Sequence, residues 1–334
     1  MAAGSREECG HAKLVRVRTR NPVELVEQVV AGDRSAVARL ISLVERGGDP
    51  ARETGRLTFP LSGKTYTVGL TGPPGAGKST LTDRLIALIR ASGSEVGVLA
   101  IDPSSPFSGG AFLGDRVRMQ DHALDRGVFI RSMATRGHLG GLALATPEAI
   151  RVLDAAGFPV VLVETVGVGQ VEVEIAGSAD TTVVVLNPGT GDAVQAHKAG
   201  LLEVADVFVI NKADRPGVKE LERDLNNMLD YDPAIHAGEA WRPPIVRTVA
   251  NSGEGVDEVW AAVNRHRARM EETGELAERR RRRLADELRA IVVGLLERRA
   301  QRLAGGPDFA GLVGQIEERT LDPYTAAERI VSGL

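Results

Sequence analysis

Cysteine is almost absent: Cys9 is the only one in 334 residues. That excludes a disulfide framework and a cysteine-based metal centre. Histidine is scarce as well. The six histidines, at positions 11, 122, 138, 197, 236 and 266, include no pair at metal-ligand spacing, so each reads as a surface or loop residue. No apolar run approaches the roughly 20 residues that span a bilayer. Charge of one sign is lacking too. With 41 basic and 45 acidic residues the net charge is −4, which supplies no general drive toward nucleic acid or an anionic membrane. The first twenty residues carry basic side chains but also Glu7 and Glu8 and no apolar core, which argues against a secretory signal or a transit peptide. The expectation is a soluble, reduced, cytoplasmic protein.

What is present is a chain that is 43% hydrophobic, enough for a large buried core. Residues 1–20 read as a loosely ordered tail, and 21–62 as an N-terminal helical segment. Asn21-Pro22 opens one helix, and Asp33 caps a second that carries Val37, Leu40, Ile41 and Val44 and stops at Gly47-Gly48. From 63 to 265 the texture changes. Apolar runs recur (TYTVGLTG, EVGVLAID, VVLVET, TTVVVLN, ADVFVIN, PIVRTVA) with helical stretches between most of them. Several runs are apolar throughout, as strands buried on both faces of a parallel sheet are. The fold class is α/β, a P-loop NTPase with a mostly parallel sheet flanked by helices. Residues 266–334 read as a charged C-terminal helical arm. In it, Leu284, Leu288, Ile291 and Leu295 form one stripe that packs either on its own domain or on a second subunit. The run Arg279–Arg283 sits among acids that nearly balance it, so it reads as a solvated face.

The stretch Gly72-Pro73-Pro74-Gly75-Ala76-Gly77-Lys78-Ser79 matches G-x-x-x-x-G-K-[ST] between a strand and a helix, and Thr80 continues it. Such a loop curls backbone N–H groups around phosphate oxygens at the positive end of a helix. Lys78 supplies charge to the β/γ oxygens, and the Ser79 hydroxyl is a Mg²⁺ ligand. Mg²⁺ needs a carboxylate near it, directly or through water. Glu164 at the end of VVLVET, Asp102 at the end of EVGVLAID and Asp115 in the following loop are the candidates, although Asp115 is equally placed to cap a helix. Gly167 lets the backbone approach the γ-phosphate. Residues 131–143, RSMATRGHLGGLA, read as a mobile loop.

Asn211-Lys212-Ala213-Asp214 follows a later strand. Asp214 is suited to accept from guanine N1–H and the exocyclic amine, a donor pair that adenine lacks. The Lys212 stem lies across the base, and Asn211 braces the neighbouring loops. Ala250-Asn251-Ser252, after one more strand, offers a backbone N–H to guanine O6. The nucleotide is GTP.

Taken together, GPPGAGKST, IDPSSPFSGGAFLGDRVRM, ETVGVGQ, PGTGDAVQAHKAG, NKAD and LDPYTAAERI resemble the MeaB/ArgK family of P-loop GTPases across residues 22–334. The resemblance implies a G-protein chaperone of adenosylcobalamin-dependent methylmalonyl-CoA mutase, which gates cofactor delivery and protects the mutase. It implies a homodimer joined by the C-terminal arm, and a Glu, here Glu164, where most nucleotide switches place Asp. By motif, Ser79, Asp102 and Glu164 surround Mg²⁺ with Asp115 nearby, and Gln195 and Lys198 lie in a switch loop. Without the family, that loop is a Gly-rich turn opening a helix.

The chemistry expected is in-line attack of water on the γ-phosphate, slow until a partner accelerates it. No water-orienting residue stands out: Gln170 lies three residues beyond Gly167, and Arg116, Arg118 and Arg136 are candidates only to neutralise charge. Three rivals remain open. They are a nickel-insertion GTPase, which needs a His- or Cys-based relay, a transport-associated kinase or ATPase, and a module that binds GTP without turning it over.

Overall fold

The structure is a computed structural model and describes residues 20–103, 122, 124–135, 141–165, 177–189, 203–231, 233–236, 240–304 and 307–332. Its first helices start where their caps dictate. Asn21 Oδ1 accepts the Val23 N–H at 3.0 Å, and Pro22 takes the first position of α1, Pro22–Val30. Asp33 accepts the Ser35 N–H at 2.8 Å to open α2, Arg34–Arg46, and Gly47 at φ 71° ends it. A third helix, α3, Gly48–Thr58, follows at once.

Seven parallel strands form one sheet: β1 Tyr66–Thr71, β2 Val96–Pro103, β3 Val128–Thr135, β4 Val160–Thr165, β5 Thr181–Leu186, β6 Val207–Asn211 and β7 Ile245–Thr248. Their order is β3-β2-β4-β1-β5-β6-β7, so β1 lies at the centre and the chain places later strands on both sides of it. Six strands are those legible in the sequence. The seventh corrects the loop expected over 131–143: residues 131–135 complete β3, and residue 141 begins another helix. Arg131, which interrupts the apolar pattern there, is covered by α2, where it pairs with Glu45 and donates to Ser42 Oγ at 3.0 Å.

Both faces of the sheet are covered, which is why its strands are apolar throughout. On one face α4, Lys78–Ala91, buries Leu81, Leu85 and Ile89 against Leu70, Val98, Leu162 and Val185. On the other, α2 and α5, Gly141–Ala155, close over Leu99, Ile101, Val161 and Val163. Further along that second face, α6, Val218–Asp230, packs Leu221 and Leu225 on Val184, Phe208 and Ile210. Then come α7 Val256–Thr273, α8 Glu275–Ala304, α9 Pro307–Glu317 and α10 Pro323–Val331, and α7 crosses residue 266 without a break.

The arginine run of α8 is not a uniform solvated face. Arg279 grips Asp206 with both terminal nitrogens, at 2.8 and 3.0 Å. Arg280 reaches Asp180 at 2.6 Å and the carbonyls of Gly63 and Thr65 at 2.8 Å each, and Arg283 also pairs with Asp180. Only Arg281 and Arg282 project into solvent. Burial would raise the Asp180 carboxyl, but the Arg280 hydrogen bond and the two guanidinium charges more than offset this and hold it below the usual carboxylate range. His266 is a second correction, since it is buried in α7, with Nδ1 2.8 Å from Thr181 Oγ1 and Nε2 3.3 Å from Asp206. The stripe Leu284, Leu288, Ile291 and Leu295 remains exposed among the described residues.

Glu148 on α5 generates a pH dependence. Burial pushes its carboxyl from 4.5 up to about 7; the Arg151 charge opposes this and Glu287 adds to it. The folded protein therefore holds a proton between about pH 4.5 and 7 that the unfolded chain has released. The contribution of Glu148 to stability therefore falls as pH rises through that window, by at most about 3 kcal/mol. We expect Glu148→Gln to flatten this decline and to raise the unfolding temperature at pH 8, as read by calorimetry across pH 5–8. An unchanged pH profile in the variant would contradict the assignment.

Candidate functional site

All seven strands run the same way, so the C-terminal ends of β1, β4, β6 and β7 lie at one edge of the sheet. The loop after β1 is squeezed between its neighbours, and glycine is required at two points. At Gly72, with φ 139°, a Cβ would collide with the Val185 carbonyl oxygen at the end of β5. At Gly77, with φ 94°, it would strike the Asn211 side chain. Lys78, only 6% exposed, turns back over the loop and donates to the carbonyls of Gly72 at 2.6 Å and Pro73 at 3.1 Å. Its ammonium thus lies inside the curve that backbone N–H groups of such a loop form around phosphate.

Ser79 is the second residue of α4, and its hydroxyl donates to Glu164 Oε1 at 2.5 Å. Glu164 is 1% exposed, paired across the sheet with Leu70 of β1 and Ala100 of β2. A carboxylate buried this deeply is costly unless a donor or cation meets it. A hydroxyl and a carboxylate side by side are hard oxygen donors of the kind Mg²⁺ takes, so the pair fits that ion. Asp102 stands two positions beyond Ala100 on β2, so its backbone lies at the same edge, while its side chain is outside the described residues. Asp115, Gly167, Gln195 and Lys198 also lie outside them, as do Gln170, Arg116, Arg118 and Arg136.

The base-side residues come together around Asn211. Its Nδ2 donates to the Ala76 carbonyl at 2.8 Å, and its Oδ1 accepts from Thr248 Oγ1 and the Ala250 N–H, each at 3.1 Å. One buried carboxamide thereby joins the phosphate loop, the end of β6 and the turn after β7. Lys212 adopts φ 58°, unusual for a residue with a side chain, and its ammonium donates to the Gly75 carbonyl at 2.6 Å. Its stem therefore bridges the same two segments. Asp214 is exposed beside Lys212. Between these groups is a cavity of about 80 Å³ walled by Gly77, Thr80, Lys212, Asp214, Ala250 and Asn251. A larger cavity of about 600 Å³ opens at the opposite edge, between α5 and α8, and its walls include the Arg280–Asp180 and Arg151–Glu287 pairs.

Sequence reasoning missed Thr248 and Arg84, whose Nη2 donates to the Asn251 carbonyl at 2.8 Å. Nothing adjacent in sequence marks either of them, because both act on segments distant along the chain.

Removing the Asn211 side chain strands the Ala76 carbonyl, the Thr248 hydroxyl and the Ala250 N–H inside the protein. Asn211→Ala should cost about 3 kcal/mol of stability without nucleotide, read from urea unfolding. A loss below about 1 kcal/mol would mean that the three segments hold together by other means.

The family model described as methylmalonyl Co-A mutase-associated GTPase MeaB matches residues 37–304. A Pyrococcus abyssi protein named as a GTPase is 52% identical over 308 residues, which is 92% of this chain and 95% of that protein. The GTPase ArgK of Escherichia coli is 34% identical over 92% of this chain and 95% of its own. The mouse methylmalonic aciduria type A homolog, a mitochondrial protein, is 37% identical over 75% of this chain and 64% of its own. Among solved structures, a protein described as LAO/AO transport system kinase superposes with TM-score 0.68 at 27% identity, covering 95% of this chain and 98% of that one. A P-loop motif at the sheet edge and the Asn211-Lys212-Ala213-Asp214 turn, on a chain matched over most of its length, lead to one conclusion: this protein belongs to the MeaB family of P-loop GTPases.

Proposed function

We propose that this GTPase is a cytoplasmic chaperone of adenosylcobalamin-dependent methylmalonyl-CoA mutase, gating cofactor delivery and protecting the mutase from inactivation. The observation that carries the catalytic part is the buried Ser79–Glu164 pair, 2.5 Å apart at the mouth of the phosphate loop. The client follows from the family, whose description names the mutase, and from the similarity to the methylmalonic aciduria type A homolog. The exposed stripe on α8 supports a homodimer joined by the C-terminal arm, because an apolar face of that length is normally covered.

In this reading Lys78 neutralises charge on the β/γ oxygens, and Ser79 and Glu164 hold Mg²⁺, with Asp102 and Asp115 contributing. Bound there, Mg²⁺ would supply Lewis-acid neutralisation of the phosphate oxygens. Thr80 and the loop Gly72, Pro73, Pro74, Gly75, Ala76 and Gly77 wrap the phosphates, and Gly167 approaches the γ-phosphate. Asn211, Lys212, Asp214, Ala250, Asn251 and Ser252 hold guanine. Gln195 and Lys198 respond to nucleotide and partner. Positioning and charge, rather than covalent chemistry, carry the hydrolysis.

The likeness to a transport system kinase favours a second reading, phosphoryl transfer to a binding protein. Asp214 supports guanine over adenine, so competition between GTP and ATP separates the two. The direct test of the proposal is GTP hydrolysis with methylmalonyl-CoA mutase titrated in. We expect a saturable rate increase, reduced on the order of 10²-fold in Lys78→Ala. Hydrolysis indifferent to the mutase would remove the client and leave the enzyme.

A further inference from the structure

Arg84 stands on the exposed side of α4, the helix that the phosphate loop opens. Among the described residues it makes no ion pair. Its guanidinium is aimed instead at main chain: Nε donates to the Ala250 carbonyl at 3.2 Å and Nη2 to the Asn251 carbonyl at 2.8 Å. Both acceptors belong to the turn that follows β7, more than 160 residues away along the chain.

That turn is otherwise held from within and from one side. Ser252 and Gly253 donate to the Val249 carbonyl at 3.0 and 3.1 Å, and the Ala250 N–H is held by Asn211 Oδ1 at 3.1 Å. At Gly255, a Cβ would collide with the Arg247 carbonyl oxygen, so the turn folds back tightly on β7. Arg84 supplies a grip from the phosphate-loop helix. Because a peptide unit is planar and trans, its N–H points away from its own carbonyl. Fixing the Ala250 carbonyl on Arg84 therefore also fixes the direction of the Asn251 N–H, at the wall of the small cavity beside Asp214. The guanidinium fork suits two neighbouring acceptors in a way that an ammonium does not.

We propose that Arg84 is a positioning residue for base selection. It sets the distance and tilt of the 250–252 turn relative to the phosphate loop, so that the Asn251 N–H meets guanine O6 while the phosphates are seated. This rests on the reading of Asp214 and the 250–252 turn as the guanine site.

The test measures affinities of the full chain for three nucleotides by calorimetry: GDP, the diphosphate of 2-aminopurine riboside, which lacks O6, and xanthosine diphosphate. Arg84→Ala should weaken GDP roughly ten-fold and leave the 2-aminopurine nucleotide within about two-fold, so their ratio collapses. Arg84→Lys, with a single point donor, should fall between. Equal weakening of both nucleotides, or an unchanged GDP affinity, would overturn the proposal. Asp214→Asn checks the underlying site separately, since its carboxamide should reject guanine and accept the extra carbonyl of xanthine. If that variant keeps its preference for GDP, the guanine site itself is misplaced. If it switches while Arg84→Ala leaves the ratio intact, only the role of Arg84 fails. Unfolding curves without nucleotide confirm that each variant is folded.

Discussion

The hydrogen bonds of Asn211 are the constraint on which the rest of the site depends. Its carboxamide is 2% exposed and satisfies a carbonyl of the phosphate loop on one side and two donors near the end of β7 on the other. No apolar residue of similar shape could do this, because all three partners are themselves buried and need hydrogen bonds. Gly77 is glycine for the same reason, as any Cβ there would occupy the space of that side chain. The 72–78 loop and the Asn211 turn, 135 residues apart along the chain, are thus built as one unit.

The opposite edge of the sheet is organised by charge. Asp180 and Asp206, at the starts of β5 and β6, would be costly to bury alone. They accept main-chain N–H groups of Thr67 and Thr182 and are gripped by Arg279, Arg280 and Arg283 of α8. The long C-terminal helix is therefore anchored to the roots of β5 and β6, whose far ends adjoin the 72–78 loop. Beyond this anchor the helix pairs Glu287 with Arg151 of α5, and its apolar stripe is exposed among the described residues.

Features whose cause is local were legible in the sequence. The caps at Asn21 and Asp33, the glycines of the phosphate loop and the apolar strands all depend on residues within a few positions, and each stands where expected. Features whose cause is distant were not. β3 was hidden because Arg131 and Ser132 break its apolar run, and Arg131 makes sense only once α2 lies over it. The arginines of α8 balance nearby acids by composition, yet the carboxylates that Arg279, Arg280 and Arg283 grip lie 73 to 103 residues upstream. His266 sits among arginines that suggest solvent, while the burial that lowers its basicity comes first from the packing around it, with Asp206 opposing. Arg84 has no sequence signature at all.

We expect Ser79 and Glu164 to hold the metal beside the phosphates while Asp214 holds the base. A crystal structure with a non-hydrolysable GTP analogue and Mn²⁺, using anomalous scattering to locate the ion, tests it most directly. The expected result is an anomalous peak bonded to Ser79 Oγ, with Glu164 reaching it directly or through one water and guanine against Asp214. A metal away from that pair, or a base turned from Asp214, would contradict it.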